Sequence, residues 1–146
     1  MDELIKMLDS SLCYISHEYE ENRIKILAEI VCKTAKCPYC GQESSRVHSR
    51  YKRNLQDLPI CGKKTILVLK RKKFFCENIE CDHRSFAEQG SFFGPKARKT
   101  NRLDREILHV SARQRSISAS KYLREHVADV GKSAICSLIK KTGEKN

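Results

Sequence analysis

Cys37-Pro38-Tyr39-Cys40 and Cys76-Glu77-Asn78-Ile79-Glu80-Cys81 are the two stretches whose reading decides the fold. A Cys-x-x-Cys turn bends back on itself so that both sulfurs face one point about 2.3 Å away, and two such turns complete a closed tetrahedron around zinc. Pro38 and Gly41 suit the first turn, since proline fixes φ and glycine tolerates positive φ. The second pair has four intervening residues, which remains within the spacing of structural zinc sites. The gap between the pairs is longer than in a common ribbon and must hold a hairpin. Cys37, Cys40, Cys76 and Cys81 are therefore the expected metal ligands. His83 follows Cys81 too closely to join it, and both His83 and His48 are read as non-ligands.

Other uses of these cysteines fit less well. A disulfide framework needs an oxidising compartment, and Met1-Asp2-Glu3-Leu4-Ile5-Lys6 has neither an apolar signal core nor a small-residue cleavage site, so the expected location is cytoplasmic. Thioredoxin-like chemistry places its Cys-x-x-Cys at a strand-to-helix turn, whereas Cys40 leads through Gly41-Gln42-Glu43-Ser44-Ser45 into a basic strand-like run. Cys13, Cys32, Cys61 and Cys136 are assigned no chemistry.

Outside this module, composition sets the class. The 146 residues are 40% hydrophobic and 32% charged, and no run approaches the length of a membrane span. The net charge of +11 is uneven: −3 over residues 1–35, +6 over 36–95 and +8 over 96–146. A basic body behind an acidic start points to a polyanion, most often nucleic acid, although a solvated lysine-rich surface has the same charge.

Residues 1–11 hold one short helix with Leu4, Ile5 and Leu8 on a stripe. From Leu12 the period becomes two, with Ile24, Ile26, Ala28, Ile30 and Cys32 on one face, and residues 12–19 form an antiparallel partner across Glu20-Glu21-Asn22. Ser45 to Lys52 reads as a strand presenting Arg46, His48, Arg50 and Lys52 on one side. Arg53 follows, and then a turn at Gln56-Asp57-Leu58-Pro59. Lys63 to Leu69 is a second strand, running into Lys70-Arg71-Lys72-Lys73. These four cations alternate above and below a strand, so about half can meet one partner, either as phosphate contacts or as an edge guarded against aggregation. A ribbon this small buries little apolar area, and zinc at roughly 10–16 kcal/mol supplies its stability. Without metal it is expected to unfold.

Residues 90–99 mix glycine, proline and charge, including Arg98 and Lys99, and read as a basic linker. The period then turns helical. Thr100 or Asn101 caps a helix with Leu103, Ile107 and Val110 on one stripe, ending near Arg113-Gln114-Arg115. Ser118 caps a second with Ala119, Tyr122, Leu123 and Val127; Asp129-Val130-Gly131 turns; and a third runs from about Ser133 to Lys141. This order is that of a helix-turn-helix, or of a plain three-helix bundle. In the third helix Ile135, Leu138 and Ile139 turn inward. Ser133, Ser137 and Lys140 lie opposite, flanked by Cys136 and Lys141, a face suited to a major groove.

The run Cys37-Pro38-Tyr39-Cys40-Gly41, then Val47-His48-Ser49-Arg50-Tyr51, then Asp57-Leu58-Pro59 resembles the amino-terminal zinc finger of bacterial insertion-sequence transposases of the ISL-three family. Phe74-Phe75-Cys76, Cys81 and Phe86-Ala87-Glu88 extend the likeness, and Thr100-Asn101-Arg102-Leu103 with the helices to Lys141 look like the helix-turn-helix that follows the finger. The resemblance implies a protein that binds double-stranded DNA at the terminal repeats of a mobile element and takes part in DNA recombination. His48 and Arg50 match its motif. Full members of that family add a catalytic domain with three carboxylates for divalent metal; this chain stops at Asn146, so a non-catalytic, truncated binding portion is expected. The family often has a basic residue where this chain has Ser137.

The combined expectation is an α+β protein. It has a short helix at 1–11, a β-hairpin and zinc ribbon at 12–89, a basic linker at 90–99, a helix-turn-helix at 100–142 and a tail at 143–146. Its cofactor is zinc. Its DNA contacts are Arg46, His48, Arg50, Arg53, Lys70, Arg71, Lys72, Lys73, Arg98, Lys99, Arg102, Lys132, Ser133, Ser137, Lys140 and Lys141. Self-association or association with a full-length transposase would be the protein contact. The alternatives are a zinc-ribbon protein-interaction module and a small regulator of transposition without sequence-specific DNA binding of its own.

Overall fold

A computed structural model of the protein describes residues 2–94, 96–113 and 116–144. Met1, Pro95 of the expected linker, Gln114-Arg115 at the expected end of a helix, and Lys145-Asn146 of the tail lie outside the described residues. In chain order the elements are α1 (Asp2–Lys6), β1 (Leu12–Tyr19), β2 (Arg23–Ile30), β3 (Ala35–Lys36), β4 (Glu43–Ser44), β5 (Val47–Ile60), β6 (Lys63–Phe75), β7 (Ser85–Ala87), α2 (Asn101–Arg113), α3 (Ser116–His126) and α4 (Lys132–Glu144). The class is α+β: a β-rich region carrying a cysteine cluster, then helices.

The period-two pattern becomes β2, where Ile24, Ile26, Ala28 and Ile30 are buried on one side. Glu20 and Arg23 exchange backbone hydrogen bonds of 2.8 and 3.4 Å around Glu21-Asn22, which closes the β1–β2 hairpin in the expected place. The main sheet runs β1-β2-β6-β5, with β7 antiparallel to β6; β3 and β4 form a separate antiparallel pair. α1 is shorter than the expected 1–11, with Ile5 buried and Leu4 47% exposed.

The turn expected at Gln56–Pro59 is instead strand. β5 continues to Ile60, and the chain reverses at Cys61-Gly62, both with positive φ (51° and 75°). Two consecutive left-handed residues match the right-handed twist of the flanking strands, as a two-residue hairpin turn requires. Pro59 is tolerated because β5 is an edge of the sheet order, where a missing N–H costs no ladder bond.

The chain divides into two compact units, Met1–Ser16 with Ile26–Asn54 and Val68–Ser91, and His17–Lys25 with Leu55–Leu67 and Phe92–Asn146. In the first, Cys37, Phe74 and Phe86 form a small core with Cys32, Ala35, Val47, Cys76 and Cys81 against it. In the second, Leu103, Ile107, Val110, Ala119, Leu123, Val127, Ala128, Val130 and Ile135 form a core on which Leu58 and Leu138 pack.

Within that second unit α2, α3 and α4 each pack on the other two. The Thr100 hydroxyl accepts the Leu103 amide at 3.4 Å, the expected cap. α3 starts at Ser116, so Ser118 is an exposed helical residue and not its cap. α4 starts one residue before Ser133 and extends past Lys141. Ile135 is buried, but Ile139, expected inside, is 45% exposed. It lies about 100° from Leu138 around the helix, outside the narrow stripe that meets α2 and α3. The described residues of 90–99 contain no helix or named strand, yet they are held down: Phe92 and Phe93 are buried, and the Gln56 amide donates to the Arg98 carbonyl at 2.9 Å. Glycine and proline marked irregular backbone there, and the two aromatics supply its anchor.

Candidate metal centre and nucleic-acid interface

The first cysteine pair sits in the loop of the β3–β4 hairpin, where Ala35 pairs with Ser44 and Lys36 with Glu43. The Cys37 amide donates to the Gln42 carbonyl at 3.0 Å and the Gly41 amide to the Cys37 carbonyl at 2.8 Å, with Gly41 at φ 78°. This tight turn aims both thiols the same way. The second pair lies between β6 and β7. The Cys76 amide donates to the Arg84 carbonyl at 2.8 Å and the Cys81 amide to the Asn78 carbonyl at 3.1 Å. The Asn78 side chain accepts the Glu80 amide at 3.1 Å, so the four-residue spacer folds as an Asx turn.

These two loops bring Cys37, Cys40, Cys76 and Cys81 together, all four sulfurs within 4.8 Å of one another. Cys37 and Cys81 are 4.0 Å apart, and Cys40 and Cys76 3.6 Å. Zinc–sulfur bonds of about 2.3 Å at tetrahedral angles put sulfurs about 3.8 Å apart, so the set needs little adjustment. The amide of Gln42 holds the Cys40 thiol down to about 6. At Cys76 the Asn78 amide opposes burial and the thiols of Cys40, Cys37 and Cys81, and the outcome is upward, to about 12. One anion among crowded thiols is what four converging sulfurs do alone; a divalent cation lets them all ionise. The chemistry and spacing fit a zinc site of the closed, structural kind. His83 stacks on Tyr39 with ring centroids 3.5 Å apart, and His48 meets the Phe75 ring edge-on at 4.7 Å. Neither histidine belongs to the cysteine group.

A closed centre on two short hairpins is a zinc ribbon. Residues 33–81 match the ISL3 zinc-ribbon family, described as the zinc-finger of transposase IS204/IS1001/IS1096/IS1165. No curated protein and no solved structure matches the chain.

The expected DNA-contact residues fall into three settings. Arg50, Lys70, Arg71 and Lys72 line one cleft with Glu29, Tyr51 and Lys52. Arg98, Lys99, Ser137 and Lys141 line another with Lys96, Ala97, Asn101 and Asp104. Burial raises the Asp104 carboxyl against the opposing pull of Lys99 and Lys141. Lys132, Ser133 and Lys140 are exposed on α4, Lys73 is exposed on β6, and Arg53 is half-buried on β5.

Four of the expected cations are engaged among the described residues, Lys72 by donating from Nζ to the Cys32 carbonyl at 3.3 Å. Arg71 is 8% exposed, and its guanidinium donates to the Glu88 carbonyl at 2.5 Å and faces the Tyr51 ring at 5.6 Å. The alternation expected for residues 70–73 holds through Lys72, with Lys70 exposed, Arg71 buried and Lys72 half-buried, and breaks at Lys73, which is exposed although it shares the parity of Arg71, while Phe74 is buried. Arg46 lies over the Phe75 ring at 4.8 Å. Arg102 is ion-paired to Asp57, which is 4% exposed and also accepts the Thr100 hydroxyl at 2.8 Å.

Sequence reasoning gave no role to Asp57 or Glu88. Glu88 is buried; it accepts the Lys72 amide at 2.9 Å and the Cys32 thiol at 3.1 Å. Burial first, and Glu88 second, push that thiol up to about 11. A lone carboxylate in an apolar stretch, as in Phe86-Ala87-Glu88, is the signal that could have found it, since such a group must find donors.

Proposed function

We propose that these residues are the DNA-binding part of an insertion-sequence transposase and recognise repeats at element ends in double-stranded DNA. The observation that carries the reading is the transposase zinc-finger match at residues 33–81, resting on four cysteines that converge as a metal site. The positive charge beyond residue 35 supports it, because phosphate neutralisation dominates affinity for DNA. So does the order of α3, the turn at 128–131 and α4, which we read as a helix-turn-helix.

In this reading α4 enters the major groove, Ser133, Ser137 and Lys140 reach base edges or phosphates, and Arg98, Lys99, Lys132 and Lys141 grip the backbone. Arg71 and Arg102 act indirectly, by holding the strands and helix that carry the others. Zinc shapes the ribbon and touches no nucleic acid. We assign binding, not strand cleavage, to these residues, in the cytoplasm, with self-association or a full-length transposase as the protein contact.

Gel-shift titration against element-end duplex tests this. At about six phosphate contacts the slope of log affinity against log salt is near −5, and Lys140→Ala weakens binding with thermal stability unchanged. Absence of binding to any duplex at low salt would overturn the reading. One feature favours a second: Ile79, 99% exposed at the tip of the second cysteine loop, suits protein docking. A partner that survives nuclease treatment in a pull-down would establish it.

A further inference from the structure

The cleft of about 330 Å³ in the first unit is built by three neighbouring strands, with Glu29 on β2, Lys70 and Lys72 on β6, and Arg50 and Lys52 on β5. Strand alternation sets most of its lining on the face opposite the core, and Tyr51 and the buried Arg71 complete that lining. Ala28 and Ile30, and Leu69 and Arg71, are buried, while Arg50, Lys52 and Lys70 are exposed. Lys72 is steadied by donating from Nζ to the Cys32 carbonyl at 3.3 Å, with its own amide held by Glu88.

The side chains of Arg50, Lys52 and Lys70 make no hydrogen bond or ion pair among the described residues. Four cations thus face one carboxylate, Glu29, on the side of the sheet away from the core. Residues two apart on a strand repeat at about 6.8 Å, so Arg50 with Lys52 and Lys70 with Lys72 form two short cationic rows. Such rows suit a linear polyanion better than a single small anion.

We propose that this sheet face, and not the cysteine loops, is where the ribbon holds the phosphate backbone of duplex DNA. The inference rests on the DNA-binding reading above and locates its contact within the ribbon. The metal centre then acts at a distance. Cys76 follows directly on β6, and the Phe75 amide donates to the Arg46 carbonyl at 2.8 Å just before β5, so the zinc loops pin the ends of the two strands that carry the rows.

The test compares three full-length, zinc-loaded proteins in salt-titrated gel shifts: wild type, Arg50→Gln/Lys52→Gln/Lys70→Gln, and a charge-matched control, Lys6→Gln/Lys33→Gln/Lys36→Gln. The site variant is expected to show a slope shallower by about three, one per lost contact, with unchanged zinc content and circular dichroism. The control retains the wild-type slope to within about one. Equal slopes for the site variant and wild type would overturn the inference while leaving DNA binding intact, and so would equal losses in site variant and control. If the site variant loses zinc, single Lys70→Gln replaces it, with a slope change of about one expected and none refuting. Failure of the wild type to bind duplex defeats the underlying reading instead. Preference for single-stranded RNA over duplex DNA would also overturn this proposal.

Discussion

Replacing Asp57 with alanine probes the most heavily bonded buried carboxylate of the second unit. Asp57 Oδ1 accepts the Thr100 hydroxyl at 2.8 Å and Arg102 Nε at 2.7 Å, while Oδ2 pairs with Arg102 Nη2. Hydrogen bonding to Asp57 raises the Arg102 pKa against the effect of burial, so truncation leaves a charged guanidinium without its partner. Breaking a buried pair costs about 3–5 kcal/mol. The Arg102 side chain is 27% exposed and recovers some hydration, which brings the expectation to about 2–4 kcal/mol. The Thr100 hydroxyl also caps α2, so part of the loss is helical. In urea, at a slope of about 2 kcal/mol/M, the midpoint falls by about 1–2 M. Asp57→Ala/Arg102→Met removes the orphaned charge and recovers about half the loss; the measurement is unfolding of all variants in saturating zinc. A loss below about 0.5 kcal/mol for Asp57→Ala, or simple additivity in the double variant, would refute the reasoning.

Cys76→Ser is expected to reduce bound zinc to below a tenth of wild type by metal analysis, and to broaden amide signals of residues 35–44 and 76–87 while helical circular dichroism persists. Equal zinc content would remove Cys76 from the ligand set. Asp129 offers a pH test: hydrogen bonding to Lys64 lowers its pKa against burial, with the charges of Lys64 and Arg23 adding to the effect. A depressed carboxylate stabilises the fold above its ordinary value and loses that contribution as pH falls through the folded one. Asp129→Asn should therefore cost stability at neutral pH and converge on wild type below about pH 4. At 52% side-chain exposure the cost is about 0.2–1 kcal/mol. A difference that persists at pH 2 would show another origin.

What the sequence exposes here depends on how local each cause is. Cysteine spacing encodes the metal centre because each pair needs only its own tight loop, and the alternation of β2 and the Leu103, Ile107, Val110 stripe encode the face each element buries. Gln56–Pro59 misled because proline and aspartate carry turn signals, while the bonds that keep Asp57 in a strand come from residues more than forty positions away. Arg71 shows the same limit. Its charge is visible in the sequence, but the Glu88 carbonyl and Tyr51 ring that receive it are not. The clefts gather residues from separate elements, so Lys52 and Lys96 join them only once the strands and helices are in place.

The helical core is completed by stretches far upstream. Leu58 packs on it, Gln56 bonds both the amide and the carbonyl of Asp129, and Arg23 and Lys64 pair with the same aspartate. A peptide cut to begin at residue 100 would carry the α2, α3 and α4 sequence but shed every one of these tethers, leaving the bend before α4 unmoored. Dissection by scissors is thus the wrong way to ask what the helices do, and the question belongs to point changes made in the intact polypeptide.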